Sequence, residues 1–397
     1  MPFLADLHIH SKYSLATSKD MEIGSLAEWA RIKGVGMLGT GDFTHPLWLK
    51  EIKKKLAPDG YGTYEHNGIR FILTAEVSNI YKKAGRTRKI HSVIFAPSFE
   101  AAEELNKALA PYGRLASDGR PILKLECDRM VRLASEVDPG IFFVPSYIWT
   151  PYFGVFGSKS GFDSLEECFE DQTPKIFALE TGLSSDPSMN WRWSKLDGLS
   201  LISNSDAHSP LKIGREANVF AEAIGYKELV EILKTKDKKR FLYTIEFFPE
   251  EGKYHWDGHS ACRALSNPKE SIRNQNLCRV CGKPITVGVA HRLEALADRP
   301  EGFELKSSPP FKSVVGLFQI ISDALRVGAT SKKVRNAYFD IVKKFGTEME
   351  ALIYAPEDDV RAKCPSEIAE GILNVRKGDL QITPGYDGEY GKVKVVR

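Results

Sequence analysis

The chain has no apolar run approaching the ~18 residues that a membrane-spanning helix needs, so a membrane protein is not expected. No basic segment leading into an apolar stretch and a small-residue cleavage site stands at the N-terminus, so no secretory signal is expected. An excess of one charge is missing too. The 55 lysines and arginines meet 52 aspartates and glutamates, leaving a net charge of +3. Affinity for a polyanion would therefore depend on local basic patches rather than a global field. Cysteine is scarce, at six in 397 residues. Cys127, Cys168 and Cys364 are scattered, which suits reduced, buried thiols. Such cysteine usage fits a cytoplasmic protein. Internal repeats and low-complexity tracts are absent. At this length two or three domains are expected rather than one core.

What is present is a series of short aliphatic runs alternating with amphipathic segments. The runs are residues 3–7, 34–42, 69–76, 91–97, 140–146, 176–180 and 199–206. Between several of them lie helical patterns at 25–33, 99–109 and 128–137. Repeated strand–helix units with apolar strands predict an α/β fold whose parallel strands close into a barrel. Seven strands make it a distorted version of the eightfold form. This catalytic part is expected over 1–245. A loop-rich, aromatic stretch with clustered cysteines follows at 246–300. Then "KSSPPFKS" reads as a linker into a mainly helical region, 301–397, that ends in a hairpin.

The polar residues concentrate at the strand ends. "ADLHIHSKYS" places Asp6, His8 and His10 two residues apart, which in an extended chain puts all three on one face. Two imidazoles and a carboxylate are poor core material and good metal ligands. Later strands end in Asp42, Glu76, Glu180, and Asp206 with His208. Parallel barrels carry their active sites at these ends. His91 departs from the pattern because it precedes its apolar run, which suggests an antiparallel strand or a boundary off by a few residues.

His259 and Cys262 form one x₂-spaced pair, and Cys278 and Cys281 form another fifteen residues on. Two such pairs suit a small structural zinc site with four ligands, with His255 as a rival for the histidine position. Three basic stretches stand out, at 50–56, 82–89 and 234–240. The second, "KKAGRTRK", lies between Glu76 and His91. Its Lys82, Lys83, Arg86 and Arg88 are therefore the best candidates for phosphate contacts.

"DLHIHSKYS", "GTGDFTHPLW", "TAEVS", "KIHSVIF", "ALETGLSSD", "SNSDAHSP" and "GKYH" before the cysteine segment occur in an order that resembles the PHP superfamily of metal-dependent phosphoesterases. Within it they resemble the endonuclease Q type. The resemblance covers roughly residues 1–300. It implies a distorted seven-stranded PHP barrel, a zinc ribbon, and two or three divalent ions (zinc, manganese, magnesium or iron) in the barrel. It also implies a DNA repair endonuclease. Metal-activated water would cut the phosphodiester 5′ to deaminated bases (uracil, hypoxanthine, xanthine) or abasic sites.

By the same resemblance, His8, His10, Glu76 and Asp206 hold one ion. Glu76 bridges to a second, held also by His91. Asp42 and His208 help hold a third. Asp206, Glu76 and His208 are the catalytic candidates. Asp6 would orient a histidine, or serve as a further ligand. The family's usual histidine after the fifth strand is replaced here by Tyr147, another candidate ligand. Glu180 and Ser184 would read the lesion. Two alternatives remain: a small-molecule phosphatase on the same barrel, and a non-enzymatic DNA-binding scaffold with a degenerate metal site, to which Tyr147 points.

Overall fold

A computed structural model describes residues 2–395. Its first strand, β1 (Phe3–Asp6), buries Leu4 and Ala5. Strand β2 (Met37–Gly39) is buried throughout. Strands with no solvent face need cover on both sides, and the helices after them supply it. Helix α1 (Ile23–Lys33) places Ile23, Leu26, Ala27 and Ala30 on its buried stripe and stops at Gly34, which takes the left-handed φ of 88°. Further along come β3 (Ile69–Lys83), β4 (Arg86–Ala96), α2 (Phe99–Leu109), α3 (Cys127–Val137), β5 (Phe142–Pro145), β6 (Ala178–Glu180) and β7 (Ser200–Ile202).

β1 pairs in parallel with β2, and β2 with β3. β3 and β4 are antiparallel, as are β4 and β5. β6 and β7 pair in parallel. The loops beyond the strand ends carry the connection on. Ile148 N donates to Glu180 O at 3.2 Å, linking the β5 and β6 ends, and His10 N donates to Ala207 O at 3.0 Å, linking β7 back to β1. A mixed α/β fold with a large sheet results. The other side of β1 pairs with β8 (Ala217–Phe220), which pairs with β9 (Phe241–Glu246).

Both explanations offered for His91 hold. The fourth strand starts five residues before His91 and runs antiparallel, because β3 and β4 form one long ribbon that turns at Ala84 and Gly85. Both turn residues have positive φ, 51° and 74°, as a two-residue hairpin turn with the strands' own twist requires. "KSSPPFKS" is more than the expected linker. Phe311–Ser313 forms β10, parallel to β9, and Thr244 N donates to Pro310 O at 3.1 Å. Proline lacks a donor, but at a sheet edge its carbonyl still accepts.

Residues 257–259 and 264–266 form a small antiparallel pair. Beyond it, α4 (Leu317–Leu325), α5 (Lys332–Phe345) and α6 (Ser366–Lys377) share an apolar core that includes Leu317, Ile321, Tyr338, Ile341 and Ile372. Residues 381–383 and 392–394 pair as an antiparallel hairpin. Among the described residues no helix is long and apolar enough to cross a membrane.

Candidate metal centre

β1 ends at Asp6, and just beyond it Ile9 forms a parallel bridge with Ala207. Leu7 and Ile9 bury into apolar clusters, while His8 and His10 are buried against carboxylates. Single ligand atoms from His8, His10, Glu76 and Asp206 lie within 4.8 Å of one another. His10 Nε2 is 3.0 Å from Asp206 Oδ1 and 3.3 Å from Glu76 Oε2. His8 Nε2 is 3.6 Å from Glu76 Oε2.

The opposite ring nitrogens are fixed by other acids. His8 Nδ1 lies 2.9 Å from Glu180 Oε1, and His10 Nδ1 lies 3.0 Å from Asp42 Oδ1. A donor N–H on Nδ1 leaves the lone pair on Nε2, facing the cluster. Asp42 is itself held by Ser11 N and Oγ at 2.7 and 2.6 Å and by Ser14 Oγ at 2.9 Å. Glu180 accepts from Asn204 Nδ2 at 2.9 Å and Tyr147 N at 3.2 Å. His8 Nε2, His10 Nε2 and Asp206 Oδ1 are buried without a directed hydrogen bond. Buried polar atoms are ordinarily paired. Three unpaired ligand atoms converging beside Glu76 therefore fit a divalent cation, and the imidazole–carboxylate mixture suits zinc, manganese or iron.

The neighbouring groups extend the cluster. His91 Nδ1 is 3.1 Å from Glu76 Oε1. The Tyr147 hydroxyl donates to the same oxygen at 2.5 Å and also contacts His91 Nδ1. His208 Nδ1 donates to Asp206 O at 2.9 Å, and its ring packs against that of His10. Asp42, Tyr147 and Asp206 have φ of 50°, 31° and 47°. Non-glycine residues seldom adopt this region, and three such residues at one site indicate that the surrounding contacts impose it.

Asp6 faces elsewhere. It accepts from Ser205 N at 3.0 Å and Gly214 N at 2.9 Å, which ties the loop carrying Asp206 to β1. The ring-orienting role expected of it is taken by Glu180 and Asp42. Glu180, expected to read the lesion, is thus committed to His8. Ser184 lies half-buried near Gly252.

Charge balance explains the protonation states. Burial opposes the charged form of His8, yet Glu180 and Glu76 carry its pKa well above the usual histidine value. Burial likewise opposes charge on His10, and Asp42 and Asp206 raise it. Glu76 is pulled well below the carboxylate range by His91, His8 and Arg120 against its own burial. Asp206 falls to about 2 against its burial, mainly through His10. Burial, reinforced by Glu76 and Asp206, keeps Tyr147 a phenol. Without a cation, then, the surrounding acids favour protonation of His8 and His10, with His10 Nε2 placed 3.0 Å from Asp206 Oδ1 to donate to it. A metal must displace those protons, so its affinity rises with pH, by up to about two decades per pH unit while both protons are being released. Calorimetry of manganese binding in buffers of different ionisation enthalpy should show this proton release. A pH-independent affinity would contradict it.

Gly119 is part of the same architecture. A Cβ there would stand 2.2 Å from Asp42 Oδ2 and from Ser14 Oγ. Gly119→Ala is expected to push Asp42 off His10 and weaken manganese binding by about 10- to 100-fold, as loss of a ligand-orienting contact does. Titration calorimetry checks it.

Elsewhere, ligand atoms of His259, Cys262, Cys278 and Cys281 also lie within 4.8 Å of one another. Hydrogen bonds from the Val280 and Cys281 backbone lower the Cys278 thiol to about 6. His255, the rival, is buried outside this group with Nδ1 unpaired. The basic stretch sits at the tip of the β3–β4 ribbon. Lys82 and Arg86 are exposed there. Lys83 pairs with Glu170 at 2.6 Å, and Arg88 is buried, bonded to Gly161 O and stacked on Phe162.

Sequence reading missed Arg120, whose Nη1 lies 3.1 Å from Glu76 Oε2. It also missed Glu216 and Glu246, both fully buried, whose pKa values burial raises, Glu246 to about 8. Nothing local in the sequence marks these residues, because distant segments bring them in.

Residues 316–379 match the family described as the MJ0043 C-terminal domain. The chain is 29% identical over 413 residues to the uncharacterized protein YqxK of Bacillus subtilis, covering 98% of each. Its structure matches that of the lesion-specific endonuclease PfuEndoQ from Pyrococcus furiosus with a TM-score of 0.89 and 32% identity, over 99% of this chain and 95% of that one. It matches endonuclease Q in complex with a 27-mer duplex substrate, an abasic lesion at the active site, with a TM-score of 0.88 and 32% identity, over 100% of this chain and 98% of that one.

Proposed function

Because the chain belongs to the endonuclease Q family, we propose that it is a hydrolase acting as a DNA repair endonuclease. Its bond of choice would be the phosphodiester 5′ to a deaminated base or an abasic site. The observation that carries the chemical part is the convergence of His8 Nε2, His10 Nε2 and Asp206 Oδ1, all buried and unpaired, beside Glu76. The strand pairings and the link from His10 to Ala207 support reading the N-terminal region as a closed seven-stranded barrel with these residues at one end.

His8, His10, Glu76 and Asp206 would hold the first divalent ion, with His91 beside Glu76 and His208 beside Asp206 positioned for further ions. Bound there, divalent ions lower the pKa of water and neutralise charge on the phosphate. The chain's own part is to prepare the ligands. Glu180 and Asp42 set the tautomers of His8 and His10. Tyr147 donates a hydrogen bond to Glu76 and lies against His91, where the resemblance implies a ligating histidine. A neutral phenol there leaves Glu76 its charge. Asp6 holds the 205–214 loop and so fixes Asp206.

Duplex DNA is the partner that the endonuclease Q complex supports. Lys82 and Arg86, exposed at the ribbon tip, suit phosphate contacts, whereas Lys83 and Arg88 spend their charge within the protein. An extruded lesion would meet the 181–186 loop, with Ser184 the free hydroxyl near it. The second cluster, His259, Cys262, Cys278 and Cys281, suits one structural zinc.

The test uses end-labelled duplexes carrying a single uracil, hypoxanthine, xanthine or abasic site, with undamaged duplex as control and manganese or magnesium added. A nick immediately 5′ to the lesion is expected, with undamaged duplex left intact. Release of phosphate from small phosphomonoesters with every duplex left whole would favour the phosphatase alternative.

A further inference from the structure

Arg120 is the one arginine bonded to the candidate ligands among the described residues, and its setting is unusually firm. Leu15 N donates to Asp118 Oδ1 at 3.1 Å. Gly119 N donates to Tyr13 O at 3.1 Å, and Thr44 Oγ1 donates to Gly119 O at 3.3 Å. Gly119 is wedged against Asp42, as its missing Cβ shows. The turn is thus clamped to the segment that bears the histidines. It delivers Arg120 Nη1 to within 3.1 Å of Glu76 Oε2, the oxygen that also faces His8 and His10. The Arg120 side chain is 28% exposed and that of Glu76 is 0% exposed. Arg120 is thus the partly exposed partner of a fully buried Glu76.

A permanent positive charge there is unfavourable for a site that gathers divalent cations. It opposes their binding and competes with them for Glu76. The sign reverses only when an anion completes the set. A phosphodiester is such an anion, and a guanidinium offers it a planar pair of donors. We propose that Arg120 is a catalytic-site clamp for the scissile phosphate, leaving Glu76 to the ions and donating its N–H groups to the non-bridging phosphate oxygens when DNA is bound. This rests on the metal-dependent cleavage proposed above. It adds a substrate-binding residue to that site and assigns Arg120 a role different from buttressing Glu76.

The two roles predict opposite signs for one substitution. The experiment compares full-length wild type, Arg120→Ala and Arg120→Lys. Manganese affinity is measured without DNA by calorimetry. Affinity for an abasic duplex is measured in calcium across a range of salt, once with the natural linkage and once with an uncharged methylphosphonate at the scissile position. Wild-type cleavage of the natural duplex in manganese runs alongside.

For Arg120→Ala, manganese affinity should be unchanged or higher. Binding of the natural duplex should fall by about 10-fold or more, the usual effect of losing a charge-assisted contact. Its log–log salt slope should shrink by about one. The methylphosphonate duplex should bind both proteins alike, and Arg120→Lys should recover part of the loss. Weaker manganese binding by Arg120→Ala, or an equal loss on both duplexes, would overturn the proposal and leave Arg120 a structural support. If wild type fails to cut the natural duplex in manganese, the cleavage reading itself fails and the clamp falls with it.

Discussion

Glu76→Gln is expected to lower lesion-strand cleavage by about a thousandfold or more while the chain stays folded, a loss of several kcal/mol of charge stabilisation at roughly 1.4 kcal/mol per decade. Glutamine keeps the shape of glutamate and removes its charge. Glu76 is the acid nearest to His8, His10, His91 and Arg120 together. With the charge gone, four nitrogen groups surround a neutral amide, and one carboxylate is lost from the group that could hold a metal ion. Single-turnover cleavage of an abasic duplex, paired with manganese calorimetry, measures both effects.

Stability should respond as well, with a sign that follows from the pKa. The Glu76 carboxyl is depressed in the fold, so its stabilisation is present above the unfolded value near 4.5 and is lost as pH falls through the folded one. Glu76→Gln should therefore melt earlier than wild type at neutral pH and approach it in strong acid. Unchanged cleavage with a lower melting temperature would mean that Glu76 serves the fold alone.

The second large effect is expected at the cysteine cluster. Cys278→Ser should release one zinc and unfold the local segment without dissolving the rest of the protein. Between residues 257 and 288 the buried apolar side chains are few, chiefly Cys278 and Ile285. So small a core cannot offset the entropy of ordering the segment. A tetrahedral zinc contributes on the order of 10 kcal/mol or more to folding in such modules. The flanks have their own anchors. Gly288 N donates to Asp257 Oδ1 at 2.7 Å, and Arg292 Nε donates to Phe156 O at 2.8 Å. Limited proteolysis should therefore cut the variant within the loops between His259 and Ile285 and leave the N-terminal region whole. Zinc analysis of the same sample should read one equivalent less than wild type. Full protease resistance with unchanged zinc would contradict a metal-held segment.

The strand-end ligands were readable because their chemistry is local. Two-residue spacing put His8 and His10 on one face. Acids closing apolar runs marked Glu76 and Asp206, and these four do meet in space. The division of labour among the acids was not readable. Asp6, Asp42 and Glu180 all stand at strand ends, and only tertiary distances show that Asp42 and Glu180 hold the rings while Asp6 holds a loop. Arg120 was invisible for the same reason: a lone arginine in a polar turn has no periodicity to betray it. The sequence marks runs at 69–76 and 91–97 but not the ribbon that joins them, because "KKAGRTRK" is polar on both faces. Its ladder is held by backbone pairing, to which side-chain patterns are blind. Proline misled the reading at 309–310, where an edge position made it harmless.

The most direct test strips the protein with a chelator, restores manganese in steps, and follows cleavage of an end-labelled duplex bearing one abasic site, with Asp206→Ala in parallel. Cleavage 5′ to the site should vanish on stripping, return with manganese in wild type, and stay absent in Asp206→Ala. Cleavage that survives stripping, or that Asp206→Ala performs as well as wild type, would show that the buried histidine–carboxylate cluster is not where the DNA is cut.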